Sequence, residues 1–275
     1  MIATDNPSKR LTAQARRRPL VGGARDGDLP FLVQLADSNL YTLSTYSGCE
    51  FRCSYCCTNA QGPSIPIANV PQRLVSELER VPRDAEICLG ALIDAYPSVE
   101  HELGATRAAL EVLVADRRSV RVVTKGDAVL RDIDLFSQLP WHEIVVSVCS
   151  LDQQILNRCD GNSPQAIRRL EVIQELADAG LNVQCNIAPW MPGSSDIEAI
   201  LAQLPASARV LVAPPILGRR GERTIAGQRL RRQPVVEAYM EEYRRLGHHE
   251  RIDFLAPIKP PLENFAAHLP RRPAG

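Results

Sequence analysis

The chain has 275 residues, 45% of them hydrophobic, and a formal net charge of 0, which is enough apolar content for one sizeable core. No apolar run reaches the roughly 18 residues of a membrane span, and the charge balance argues against a dedicated nucleic-acid binder, whose surface is normally basic. The first 18 residues are polar and basic, without the apolar stretch of a secretory signal, so the eight cysteines are expected to be reduced thiols or metal ligands in a cytoplasmic protein.

In chain order, residues 1–35 read as a flexible leader, with Arg16-Arg17-Arg18 and Gly22-Gly23 in it. A strand-like run follows (Leu40, Tyr41, Leu43, Thr45) and feeds directly into Cys49-Glu50-Phe51-Arg52-Cys53-Ser54-Tyr55-Cys56-Cys57. Core packing does not explain four thiols at fixed spacing in nine positions. Thiolates that converge on one turn bind soft metals. Structural zinc wants four closed ligands, usually as two separated Cys-x-x-Cys pairs, and a second pair is missing here. A [4Fe–4S] cluster held by Cys49, Cys53 and Cys56 leaves one iron open for chemistry. Iron–sulfur is therefore the preferred reading, with zinc as the alternative.

Beyond the loop, helices are expected over 71–81, 99–115 (apolar face Leu103, Leu110, Leu113), 133–139 and 196–204. Another should open at Ser163-Pro164, cap first and proline in the first turn. It repeats Ile167, Leu170, Ile173 and Leu176 and stops at Gly180. Strands are expected over 85–89, 120–124, 144–149, 183–188 and 210–213. Six βα units in series, with no hairpin signal, make an α/β fold with a parallel sheet and outer helices: an open doubly wound sheet or a partial (βα)6 TIM-type barrel spanning 36–214. Either form binds ligands at the carboxyl ends of its strands, where the cysteine loop lies. Residues 215–275 form an Arg-rich segment (Arg219, Arg220, Arg223, Arg229, Arg231, Arg232) and a final amphipathic helix, 235–246. That segment is a solvated face, or a substrate lid whose arginine forks suit phosphate or carboxylate.

Cys-x-x-x-Cys-x-aromatic-Cys after the first strand of a βα series resembles the radical S-adenosylmethionine (SAM) superfamily and its partial (βα)6 barrel. Further segments look like the spore photoproduct lyase-like branch: Tyr46-Ser47-Gly48-Cys49, 93–100, Thr124-Lys125 with 130–135, 146–152 and 186–193. The resemblance implies that Cys49, Cys53 and Cys56 hold the cluster, with SAM chelating the open iron. One electron then cleaves SAM to methionine and a 5′-deoxyadenosyl radical, which abstracts a substrate hydrogen. Tyr55 lies beside the adenine in that scheme, and Lys125 and Ser147 contact SAM. Asn186, in a matching segment, and Gly90, just after the strand 85–89, are counted with the cofactor-binding residues. Two departures set the chain apart from the lyase itself. Cys57 stands where a tyrosine follows the third cluster cysteine, and Ala91 stands where a cysteine donor precedes the position of Asp94.

A thiol can return a hydrogen atom to a substrate radical, and Cys57, Cys149 and Cys185 are the catalytic candidates. If Ser147 faces the barrel interior, so does Cys149, two residues on. The polar neighbours Gln184 and Asn186 instead turn Cys185 outward, as a small buried hydrophobe. Cys159 is expected to be structural. The expected activity is hydrogen abstraction from a small molecule, in natural-product tailoring, ending in epimerisation, dehydrogenation or rearrangement. Its electron comes from a reductant such as flavodoxin or ferredoxin. Nucleic-acid lesion repair and a non-catalytic iron–sulfur sensor are the alternatives.

Overall fold

The computed structural model describes residues 31–35, 38–56, 58, 60–213 and 233–255. Cys57 and the Arg-rich segment from Arg219 to Arg232 lie outside them. One eight-stranded sheet organises the chain, in the order β1 (Leu32–Gln34), β2 (Leu40–Leu43), β5 (Glu86–Leu89), β6 (Ser119–Thr124), β7 (Trp141–Ser147), β8 (Val183–Ile187), β9 (Arg209–Val212), β10 (Ile252–Phe254). The strands from β2 to β10 pair in parallel and β1 pairs antiparallel to β2. The sheet is the expected partial barrel, six βα units built from β2 to β9. Two short strands, β3 (Tyr46–Ser47) and β4 (Ile65–Pro66), make a separate ribbon around the cysteine loop. No helix among the described residues is long and apolar enough to cross a membrane.

Strand periodicity sorts the two faces. Ile87 and Leu89, Val120 and Val122, Ile144 and Val146, Val183 and Ile187, and Val210 and Val212 all enter the main hydrophobic core. The helices close that core through Leu74 and Leu78 of α1 (Val70–Leu78), Leu110 and Leu113 of α3 (Ala105–Ala115), and Leu170, Ile173 and Leu176 of α6 (Ala166–Asp178). The alternate positions form the inner face. There Arg121 is nearly fully buried between Glu86 and Glu143, at 2.6 and 2.7 Å. This ion triad lies toward the amino ends of the strands and leaves the carboxyl ends to smaller polar groups.

Several elements depart from the sequence expectation. The helix expected over 99–115 is two helices, α2 (Glu100–Leu103) and α3, broken at Gly104 with φ +63°. The break lets the buried Glu100 carboxylate accept the Thr106 and Arg107 backbone N–H groups at 3.0 and 3.2 Å and so cap α3. Leu103 is then left 52% exposed rather than in the core. Between 128 and 136 a 3-10 turn (Ala128–Asp132) precedes α4 (Ile133–Phe136). Helix α6 starts at Ala166 with Gln165 at its cap, because Ser163 is held by Asp160 and Arg169 instead. Its end is as expected: Gly180 has φ +77°, and Leu181 N–H bonds the Leu176 carbonyl. Two hairpins are present, β1–β2 and β3–β4, where none was expected, so the expected leader ends in a sheet strand. The remaining helices are α5 (Gln153–Cys159), α7 (Ile197–Leu201) and α8 (Gln233–Leu246), and α8 leads into β10, which lengthens the sheet beyond the expected sixth parallel strand.

Candidate functional site

The cysteine loop leaves β3 at the carboxyl end of β2 and is tied down from both sides. On one side Cys49 N–H bonds the Ala60 carbonyl at 2.5 Å, Gly62 N–H bonds the Cys49 carbonyl at 3.1 Å, and the Gln61 amide reaches the Cys53 carbonyl at 3.1 Å. On the other, the turn after α5 holds it: Ser54 N–H bonds the Cys159 carbonyl at 2.8 Å and Asn162 N–H bonds the Phe51 carbonyl at 3.1 Å. Gly161 makes this approach feasible. It has φ +54°, and a Cβ there would lie 2.2 Å from the Phe51 carbonyl oxygen.

Charge is concentrated behind the loop. The Lys125 ammonium, at the end of β6, lies 3.3 Å from Cys53 Sγ and 5.4 Å from the Tyr55 ring centre. Burial works against the lysine's charge, but the Cys53 sulfur and the Asp160 carboxylate hold its pKa above the ordinary value. Burial raises Cys53, against the pull of Lys125. Burial and the nearby Asp94 push Cys49 up to about 12. Asp94 accepts from Thr124 Oγ1 at 2.6 Å and from the Lys125 N–H at 2.8 Å, which fixes the end of β6 beneath the loop. The Tyr55 hydroxyl donates to Asp160, which also forms a 2.6 Å ion pair with Arg169; Asp160 and Arg169 are each 1% exposed. Burial alone would raise Asp160, but Lys125 and Arg169 bring it below the usual carboxylate range.

A second buried network braces the loop from outside. The Tyr46 hydroxyl donates to Glu100, and Arg131 bridges Glu100 and Asp132 at 2.5 and 2.8 Å. The Tyr96 hydroxyl donates to Asp132 at 3.0 Å. The sequence segments that carry the family resemblance thus meet in space.

The structure brings Cys49, Cys53, Cys56, Tyr55 and Lys125 together. Ser147 and Asn186 lie opposite each other at the carboxyl ends of β7 and β8. Gly90, φ +87°, lets β5 and β6 approach closely, since a Cβ there would lie 1.8 Å from the Val123 carbonyl oxygen. β7 ends at Ser147, so the strand-parity argument does not extend to Cys149. Its thiol sits in the main core, 3.9 Å from Asp160 Oδ2 and 4.0 Å from the Tyr55 hydroxyl. Hydrogen bonding to Cys159, with burial, raises Cys149, while the same bond lowers Cys159. Cys185 packs with Val183 and Ile187 in the core, where burial pushes it up to about 12; it is not brought to the loop. Asp160 and Arg169 were not singled out from sequence, and Asp94 entered there only as a position matched to the lyase. Asp160 directly precedes the Gly161-Asn162 turn, the one local signal that this segment makes a tight contact.

The donor set suits an iron–sulfur cluster. A thiolate at Cys53 raises Cys49 and one at Cys56 raises Cys53, so the three sulfurs feel one another's charge, and a buried cation stands beside them. Above the inner face, Asn186 Oδ1 is buried without a partner among the described residues, a free acceptor for a polar ligand such as SAM.

Comparison with known proteins agrees with this chemistry. The model of the radical SAM superfamily matches residues 43–204. An uncharacterized protein of Methanocaldococcus jannaschii is 24% identical over 169 residues, covering 59% of this chain and 65% of that one. An uncharacterized protein of Mycobacterium tuberculosis is 25% identical over 188 residues, covering 61% and 55%. The chain therefore spans less than two thirds of the length of these curated relatives. Among solved structures, a spore photoproduct lyase mutant superposes with a TM-score of 0.63 at 16% identity, covering 92% of this chain and 86% of that one. Another lyase mutant, with bound AdoMet and dinucleoside spore photoproduct, gives 0.61 at 15% identity and the same coverage. Streptococcus suis SuiB bound to S-adenosylmethionine gives 0.53 at 10% identity, covering 78% and 49%. At these identities the likeness is one of fold.

Proposed function

The chain belongs to the radical SAM superfamily of enzymes, which use a [4Fe–4S] cluster and SAM and act on a substrate with the help of a reductant, and from that membership we propose that it abstracts a hydrogen atom from a small organic molecule bound across the mouth of the barrel. The cluster supplies the electron that cleaves SAM; the rest of the reading concerns this chain's own residues. Cys49, Cys53 and Cys56 hold the cluster, and Lys125, Ser147 and Asn186 hold the polar groups of SAM. Tyr55 closes the loop side through its bond to Asp160. Gly90 keeps the strand ends close enough for the ligand to lie flat on them. Epimerisation, dehydrogenation or rearrangement of a natural-product precursor fits a site of this kind, with an acidic electron carrier such as flavodoxin or ferredoxin as reductant. The free thiols favour a reducing compartment, the cytoplasm.

The observation that carries this reading is the 3.3 Å contact between Lys125 and Cys53 at the carboxyl end of the sheet. The contact supports this reading, because a buried lysine ammonium beside a loop thiol suits both an anionic cluster and a carboxylate-bearing cofactor. Anaerobic reconstitution with iron and sulfide, then incubation with dithionite and SAM, tests it. The wild type is expected to form 5′-deoxyadenosine and a Cys53→Ala variant none. An intact cluster with unreacted SAM would favour the sensor reading instead.

Lesion repair on nucleic acid is retained as a second reading, because the fold superposes on a lyase structure holding a dinucleoside photoproduct. Deuterium transfer from labelled substrate into 5′-deoxyadenosine, compared between oligonucleotide lesions and small-molecule pools, separates the two.

A further inference from the structure

Beyond the residues already placed, the inner face of β8 carries a side chain that the fold itself does not use. Gln184 is 1% exposed, yet neither its Oε1 nor its Nε2 has a hydrogen-bond partner among the described residues. Its register neighbours are Val145 on β7, which is apolar, and Arg209 on β9, whose guanidinium pairs with Asp253 at 2.5 Å. Asn186, one step nearer the carboxyl end on the same face, leaves its Oδ1 unpartnered as well. Buried polar groups are paired in roughly nine cases in ten, and one left unpaired bears its full desolvation penalty. A leucine would fill this position beside Val145 at no such cost.

We propose that the Gln184 carboxamide is a recognition group for a ligand inside the barrel that presents a hydrogen-bond donor and acceptor side by side, as the edge of a nucleobase or a cyclic amide does. A carboxamide holds its own donor and acceptor in one rigid plane and reads such an edge with two parallel bonds, as Asn and Gln read adenine. Its depth, one inward-facing position below Asn186 and Ser147, makes it the floor of the site rather than part of the mouth. Two sources offer this edge: the adenine of SAM, and a base-like or lactam substrate. The inference rests on the reading that SAM and substrate occupy the inner face.

The test uses the full-length, cluster-reconstituted protein and two variants. Gln184→Leu removes both bonding atoms at similar volume, and Gln184→Glu keeps the shape but replaces the donor with a second acceptor. Thermal unfolding is followed without ligand, and equilibrium dialysis measures the affinity for SAM and, with SAM present, for thymidine and N3-methylthymidine. The leucine variant is expected to melt at or above the wild-type temperature and to lose roughly tenfold or more in affinity for one probe, as a bidentate base contact predicts. A loss confined to SAM assigns the adenine. A loss confined to thymidine, together with lost discrimination against the N3-methyl analogue, assigns the substrate. The glutamate variant should lose affinity for the same probe. A leucine variant that melts several degrees lower, or that leaves both affinities unchanged, overturns the inference, since the amide is then bonded within the fold or is idle. Wild-type protein that binds no SAM at all sinks the proposed function and this inference with it.

Discussion

At the residue scale, the three loop cysteines Cys49, Cys53 and Cys56 depend on a carboxylate that hydrogen-bonds none of them. Asp160 accepts from Tyr55, pairs with Arg169 and lies in the field of Lys125, all within a buried layer behind the loop. Replacing it by Asn leaves Arg169, which is 1% exposed, without its countercharge. Breaking a buried pair from one side costs about 3–5 kcal/mol, whereas replacing both partners by apolar groups costs far less. Urea unfolding at neutral pH should therefore show Asp160→Asn strongly destabilised and an Asp160→Leu, Arg169→Met double variant largely restored. The pH dependence follows from the direction of the shift. The folded pKa of Asp160 lies below its unfolded value, so its contribution is complete above the unfolded carboxylate value near 4 and is lost as pH falls through the lower folded value. Wild type should thus lose stability more steeply than Asp160→Asn on the acid side, as acid titrations of the cluster-free proteins can check. Cys49, Cys53 and Cys56 were legible in sequence because a metal-binding loop is local and its spacing is its signature. Asp160 was not, because its partnership with Tyr55 spans 105 positions and only the fold closes that distance.

Local signals at the element scale fixed where segments begin and end only when nothing else claimed the same residues. Gly180 ends α6 as expected because its surroundings leave it free to act as a cap. Ser163 does not open that helix because Asp160 and Arg169 already use its hydroxyl. Likewise the run 99–115 has helical periodicity throughout, yet buried Glu100 draws the chain into a break that periodicity does not record. This distinction between local and borrowed roles yields a paired prediction. Gly161 and Gly180 both have positive φ, so alanine at either costs about 1–2 kcal/mol of backbone strain. Only at Gly161 would the new methyl meet the cysteine loop, 2.2 Å from the Phe51 carbonyl oxygen; at Gly180 nothing lies within 4 Å. Gly161→Ala is therefore expected to take up markedly less iron and sulfide on reconstitution while keeping its helix content by circular dichroism. Gly180→Ala should lose only the backbone-strain part of the stability and reconstitute normally. Equal iron content in the two variants would show that the turn after α5 does not set the geometry of the loop.

For the whole molecule, the six central strands were readable because each puts large apolar residues on the core face, Tyr41 and Leu43 in β2 and at least one β-branched residue in each of β5 to β9. The outer strands β1 and β10 were not. Each has three residues, too short for a period of two to stand out, and each is ordered by the strand beside it. They lengthen the sheet at both edges, and the Tyr239 hydroxyl lies 2.9 and 2.6 Å from the Val212 and Leu255 carbonyl oxygens, tying α8 to the last two strands. A sheet of this breadth can accept either a small molecule or an extruded nucleotide at its mouth, and charge then discriminates. Lesion recognition in a duplex needs phosphate contacts, and an enzyme neutralising six or more phosphates loses on the order of a thousandfold in affinity between low and moderate salt. This chain has as many acidic as basic residues, 32 of each. Among the described arginines many are already committed: Arg107, Arg118, Arg121, Arg131, Arg168 and Arg169 all pair with carboxylates of the fold. Little positive charge is left over there for a phosphate backbone. The expectation is weak binding to duplex oligonucleotides by fluorescence anisotropy, a shallow dependence on salt, and 5′-deoxyadenosine formation that oligonucleotides do not stimulate. A steep salt slope together with stimulation by lesion-bearing duplex would reverse the order of the two functional readings, and it would place the phosphate contacts in the Arg-rich stretch between Arg219 and Arg232.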